Sequence, residues 1–228
     1  MDCGQETDYV QPPVANVPNS ESTWDEDEDG DLLVEDDNKQ GGLHFLKLAQ
    51  KGLVGEMTNL LSSDSSLLSF QDSDGYSALH RAAYSEQVNV VEFLLNQGAD
   101  IMTRTIDGWT ALHSACRWNS FQCATLLIQK GADVNGKTDG GLTPLHVASE
   151  NAIARETLIV LLLNESLDEA LTNLSGETAE TVASQHGSYS YLFELIRKSL
   201  ICKPTIQPRQ RELMFPEFAV LILILKNR

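Results

Sequence analysis

The sequence predicts an all-α solenoid of about five helix-turn-helix units with β-hairpin-like tips, preceded by a disordered acidic leader. Three observations carry this. Three segments align at a period of 33 residues: DGYSALHRAAYSEQVNVVEFLLNQGAD from Asp74, DGWTALHSACRWNSFQCATLLIQKGAD from Asp107 and GGLTPLHVASENAIARETLIVLLL from Gly140. Each segment carries an apolar pair in its second half, Leu94-Leu95, Leu127-Ile128 and Leu161-Leu162, and a repeat of this period is the mark of stacked supersecondary units. Acidity is concentrated at one end: residues 1–40 hold 13 Asp/Glu and one lysine, Lys39, whereas the rest carries 20 acidic and 15 basic side chains.

Taken in order, the leader spans 1–40 and the units fall at about 41–72, 73–105, 106–138, 139–173 and 174–201, with a tail at 202–228. The first unit keeps a helix pattern in Leu48-Ala49, Met57 and Leu60-Leu61 but lacks the turn motif. The three central units share Gly75, Gly108 and Gly141 and the histidines His80, His113 and His146. The fourth unit carries one extra residue before Leu161-Leu162. The fifth keeps Gly176-Glu177-Thr178-Ala179 but has Glu180-Thr181 where the others have Leu-His. Modified end copies suit a stack whose terminal units present a polar outer face.

Within a unit, Ser77, Thr110, Thr143 and Thr178 stand where a side-chain oxygen caps a helix, and Pro144 takes the first helical position. Ala82-Ala83 and Ala115-Cys116 let neighbouring helices approach closely, while Leu94-Leu95, Leu127-Ile128 and Leu161-Leu162 supply the buried side of each second helix. Gly98 and Gly131 end those helices.

These residues resemble the signature of ankyrin repeat proteins, G-x-T-P-L-H-x-A-A followed by L-L-x-x-G-A-D. A narrower resemblance rests on DGWTALHSACRWN, on ETAETVA with a following YLFEL, and on the acidic leader, over roughly residues 22–197. It is to a group of small, mainly nuclear ankyrin proteins linked to gene-expression control and to differentiation, including sperm development. The resemblance implies a non-enzymatic adaptor that binds protein partners by a concave face built from hairpin tips and first helices.

Carried onto this chain, that face comprises Ser73, Asp74, Tyr76, Tyr84 and Ser85, then Ile106, Asp107, Trp109, Arg117 and Trp118, then Leu142, Glu150 and Asn151. Tyr, Trp and Arg dominate binding hot spots, so Tyr76, Tyr84, Asp107, Trp109, Arg117, Trp118 and Leu142 are the partner-binding candidates, with Tyr76, Trp109 and Trp118 as the anchor. Asn135 follows Leu127 by eight residues in an Asp-Val-Asn context. That resembles the sequence favoured by the asparagine hydroxylase that modifies ankyrin repeats, although the same residue serves as a turn asparagine.

The histidines sit on separate units, too far apart to share a zinc ion, and are expected to tie one unit to the next. Cys116 lies three residues after His113 but occupies the slot of Ala83, where a cysteine acts as a small hydrophobe. No glycine-rich phosphate loop or carboxylate cluster marks the repeats, so no enzyme activity and no cofactor are expected. The formal charge of −17 offers no basic surface for direct nucleic-acid binding. No apolar run reaches the length of a membrane span. The cysteines Cys3, Cys116, Cys123 and Cys202 form no CxxC pair, and the acidic N-terminus is no secretory signal, so reduced thiols in nucleus or cytoplasm are expected.

The leader mixes acids with Trp24, Leu32, Leu33 and Val34, a pattern of docking or activation segments as well as of solubilising ones, and Ser22 and Thr23 precede acids by three residues. Phe218 to Leu225 is continuously apolar and has no assigned role. The expected function is a monomeric, nuclear interaction adaptor in positive regulation of gene expression and in differentiation such as spermatogenesis. The rivals are a cytoplasmic scaffold or inhibitor and a ubiquitin-ligase substrate receptor, although residues 202–228 do not resemble a cullin-adaptor box.

Overall fold

Each regular unit is a tight glycine turn, a short first helix and a second helix, in that order along the chain. The computed structural model describes residues 37–186 and 189–201. The acidic leader, with Ser22 and Thr23, and the apolar stretch Phe218 to Leu225 lie outside them. The helices are α1 (Asp37–Lys51), α2 (Val54–Ser63), α3 (Ala78–Tyr84), α4 (Val88–Asn96), α5 (Ala111–Arg117), α6 (Phe121–Gln129), α7 (Pro144–Glu150), α8 (Arg155–Leu162), α9 (Ala179–His186) and α10 (Ser190–Ile201). The odd-numbered helices pack in sequence, α1 on α3, α3 on α5, α5 on α7 and α7 on α9. The even-numbered helices form a second layer in the same order. Among the described residues none of the helices is long and apolar enough to cross a membrane.

Helix α1 starts at Asp37, inside the stretch assigned to the leader, and runs straight through Gly41-Gly42. A glycine pair inside a helix is unfavourable by propensity. Close packing explains Gly42, because a Cβ there would overlap the Phe70 ring of the chain leaving the first unit.

The core lies between the two layers. Ala82, Ala83, Ala115 and Cys116 are fully buried, so small side chains do bring successive first helices together. Leu94, Leu127 and Leu161 are also fully buried, each contributing about 1.5–3 kcal/mol of transfer free energy. Their neighbours Leu95 and Ile128 are only half-buried, and line the edge of the core.

The tips are turns rather than strands, with isolated bridges only at Gln71–Ser77 and Thr172–Thr178 among the described residues. All four close alike. The N–H groups of Asp72, Thr105, Thr138 and Asn173 donate to the carbonyls of Tyr76, Trp109, Leu142 and Glu177 at 2.9–3.1 Å. Between them Gly75, Gly108, Gly141 and Gly176 hold φ of 83°, 78°, 74° and 78°, in the left-handed region that glycine enters without strain. Successive tips are joined where Ile106 N–H donates to the Asp74 carbonyl and Asp139 N–H to that of Asp107, both at 3.0 Å.

The extra residue of the fourth unit lies in the loop between α7 and α8, which has four residues where the second and third units have three. Those shorter loops turn on Glu86 and Asn119, non-glycine residues at φ of 54° and 56°. The longer loop makes its turn with no residue at positive φ.

Candidate protein-binding surface

The repeated histidines set the geometry of the face they lie beneath. In each central unit the N-cap backbone N–H (Ser77, Thr110, Thr143) donates to Nδ1 of His80, His113 or His146 at 3.2–3.3 Å. The N-cap hydroxyl lies 2.9, 2.8 and 2.7 Å from the same nitrogens. A backbone N–H can only donate, so Nδ1 is unprotonated and the hydrogen sits on Nε2. That Nε2–H donates to a carbonyl of the following unit: Trp109 at 3.0 Å, Leu142 at 3.2 Å and Glu177 at 3.0 Å. Burial depresses His80 and His113 to about 4, against carbonyl hydrogen bonds that favour the proton, and it lowers His146 as well. The expected tie between units is therefore a chain of neutral imidazoles. In the fifth unit Thr181 takes the histidine's place, and its N–H and hydroxyl meet only the Thr178 hydroxyl.

Cys116 is fully buried and burial pushes its thiol up, while Cys123 is pushed up to about 12 by burial and by the Glu86 carboxylate. Both are small core residues rather than nucleophiles. No cluster of three or more His, Cys, Asp or Glu stands ready to hold a metal among the described residues.

The candidate side chains divide into two rows. Tyr76, Trp109 and Leu142 occupy the same tip position in successive units, directly after the turn glycine, and all three are half-buried. Tyr76 meets the His80 ring edge-on at 5.7 Å, and the Arg81 guanidinium lies 5.0 Å from its centroid on a 2.6 Å ion pair with Asp72. Trp109 tilts against His113 at 6.1 Å and packs on the core, as does Leu142. These rings cover the histidine chain as well as facing outward. Burial and the carboxylates of Asp107, Asp72 and Asp74 raise the Tyr76 phenol above its usual range, against the opposing Arg81 charge. Asp107 is exposed beside them.

Tyr84, Arg117 and Glu150 form the second row, at the C-terminal ends of α3, α5 and α7. Trp118 caps α5 and meets Tyr84 edge-on across two units, with centroids 4.7 Å apart. At 45% exposure Trp118 is the most open of the candidate aromatics. Arg117 is half-buried, and its backbone carbonyl accepts a hydrogen bond from the Asn151 amide. Burial raises the Glu150 carboxyl, opposed by the charges of His186 and Arg117. The expected anchor of Tyr76, Trp109 and Trp118 is thus split, with Trp118 and Tyr84 together and the tip rings in a separate row.

Asn135 is half-buried and committed on both sides of its amide. Its Nδ2 donates to the Ser166 carbonyl at 2.7 Å and its Oδ1 accepts from Asp168 N–H at 2.9 Å, which joins the third unit to the fourth.

Sequence reasoning missed one further ladder and one single cross-unit residue. Gln71, Arg104 and Lys137, one period apart, each donate to the next unit, at the carbonyls of Arg104 (3.0 Å), Lys137 (2.9 Å) and Thr172 (2.8 Å). Asn119, held at positive φ, accepts from the Thr157 hydroxyl at 2.9 Å and donates to Glu156 at 3.0 Å. The first was signalled by three long polar side chains recurring at 33 residues. The second had no sequence signal beyond an asparagine after a helix.

Glycine tip, capped inner helix, outer helix and a cross-unit histidine bond define an ankyrin repeat protein, a class whose repeats serve protein–protein binding. The family described as Ankyrin repeats (3 copies) matches residues 43–138 and 102–168. The chain is 48% identical over 184 residues to a human protein, ankyrin repeat domain-containing protein 49, covering 80% of this chain and 77% of that one. It is 52% identical to the protein of the same name from Bos taurus (70% and 67% covered) and 45% identical to that from Drosophila melanogaster (80% and 85%). The chain belongs to the ankyrin repeat domain-containing protein 49 family.

Proposed function

We propose that this chain is a non-enzymatic, monomeric adaptor that acts in the nucleus, and also in the cytoplasm, and takes protein partners on the inner face of its second to fourth units. On this reading it serves positive regulation of gene expression and differentiation such as spermatogenesis, as the sequence resemblance implies. The observation that carries the binding site is the Tyr84–Trp118 pair, two aromatic rings in contact across adjacent units with Trp118 open to solvent. Rings in contact lose little conformational freedom on binding, which is what a hot spot requires.

Proximity labelling in cells tests both the surface and the compartment. Wild type is expected to label nuclear proteins, and the Tyr84→Ala/Trp118→Ala variant, with unchanged helical circular dichroism, to lose a discrete subset of them. Each truncation is expected to weaken that subset by at least ~1 kcal/mol. An unchanged label set overturns the binding site; an exclusively cytoplasmic set overturns the nuclear assignment.

A further inference from the structure

We infer that a second binding site lies between the first and second units, in a cleft that takes the carboxamide of an Asn or Gln side chain from a partner peptide. It stands apart from the inner face, since none of the residues lining it is among the partner-binding candidates.

The third and fourth units show the contact from within the chain. Asn135 stands just before Lys137 of the tip ladder, and its amide reaches the Ser166 carbonyl and the Asp168 N–H, which precede Thr172 in the next unit. Counted from the ladder residues Gln71 and Arg104 in the same way, the first junction has Ser69 in the place of Asn135, and Gly98 and Asp100 in the places of Ser166 and Asp168. The two receiving loops share a turn: Asp100 Oδ1 accepts from Met102 N–H at 2.9 Å, as Asp168 Oδ1 accepts from Ala170 N–H at 3.0 Å. What fills them differs. Serine is too short for the bridge, and the Ser69 hydroxyl donates instead to the Ser66 carbonyl of its own turn at 3.1 Å. The Gly98 carbonyl and the Asp100 N–H have no hydrogen-bond partner among the described residues. The space left is a cavity of about 610 Å³, lined by Ser69, Gly98 and Asp100 together with Leu68 and the buried Leu79 and Leu94. A few polar groups converging in an otherwise apolar recess are the pattern of a ligand pocket.

Hydrogen-bond chemistry decides among occupants. A carboxamide offers a donor and an acceptor on one planar group, as Asn135 does to the fourth unit. A carboxylate lacks the donor for Gly98, a lysine or arginine lacks the acceptor for Asp100, and an aliphatic side chain leaves both unpaired. The cavity has room for more than one amide, so apolar neighbours of the Asn or Gln rest on Leu68 and on Met102, which also lines it.

Titration of the full chain with the capped peptide Ala-Leu-Asn-Leu-Ala, and separately with counterparts carrying Asp or Leu at the centre, tests the inference. Binding is read by nitrogen–proton NMR at the Asp100 backbone amide. The Asn peptide is expected to move that signal to lower field, saturably, and to bind about tenfold tighter or more than either counterpart. Ser69→Asn, which supplies the amide from the chain itself, is expected to weaken the Asn peptide by about tenfold or more and to raise the urea midpoint. Ser69→Ala keeps the cleft and is expected to bind the Asn peptide as wild type does. An unmoved Asp100 signal, equal binding of the Leu peptide, or undiminished binding by Ser69→Asn overturns the inference. The Tyr84→Ala/Trp118→Ala variant is expected to bind the peptide unchanged; loss of binding there puts the peptide on the inner face and overturns the cleft, while the inner face itself stands.

Discussion

At the residue scale the histidines make the chain sensitive to pH in a direction the hydrogen bonds dictate. His80 and His113 titrate at about 4 when folded, below the 6.5 of a free imidazole, because burial opposes the charge. The unfolded chain therefore binds more protons than the folded one between those values. Their contribution is complete above pH 6.5, shrinks as pH falls through that window and is gone below about 4. Each contributes on the order of 3 kcal/mol across the window. Urea unfolding at pH 7, 6 and 5 should show a falling midpoint, and His113→Gln should flatten that fall while lowering stability at pH 7. The same scale shows what a sequence cannot carry. That His80 would bond toward the next unit was legible from its period, but the carbonyl it reaches belongs to Trp109, 29 residues on, and only the packing of two units brings them together.

Among the elements, the tip turns and capped inner helices were the most legible, because each is specified by local chemistry within eight residues. The inter-helix loops were the least. Asn119 enters the left-handed region with an asparagine's own tolerance for it and is tied to the fourth unit, whereas Glu86 has no such preference and its conformation comes from the surrounding structure. Helix α1 begins at Asp37, before the first unit's expected start at 41, and its Gly41-Gly42 pair has no helical propensity to signal it, Gly42 being there for the Phe70 ring packed against it. The tip turns yield a graded test. A Cβ at Gly75 would lie 2.9 Å from both the Ile106 nitrogen and the Thr105 Cα, backbone that cannot swing aside, whereas at Gly131 it meets nothing within 4 Å. Both glycines have positive φ, at 83° and 94°. Gly131→Ala should then cost about 1 kcal/mol of backbone strain and Gly75→Ala about 2–3 kcal/mol, in thermal or urea unfolding.

Over the whole molecule, the architecture was readable and the binding face only partly so. The period located the repeats because every unit must solve the same stacking problem. The side chains proposed to face a partner are ones the stack leaves free to differ, so no rule of the fold says which of them lie together. Tyr84 and Trp118 are 34 positions apart and touch, while Tyr76 and Trp109 turned out to serve the stack as well as the surface.

The neutral imidazoles also give the stack a direction of assembly. Every link runs from a ring donor in one unit to an acceptor in the next, and the series ends at the Glu177 carbonyl, because the Thr181 hydroxyl in the fifth unit is engaged with Thr178 of its own unit. A central unit is therefore a cassette that carries its own link to the next, and the fifth unit offers no histidine in that series. Duplicating residues 106–138 in place should add a protected, cooperatively folded segment in amide exchange. The same 33 residues joined after residue 201 should exchange freely, and should gain protection once Glu180-Thr181 is changed to Leu-His.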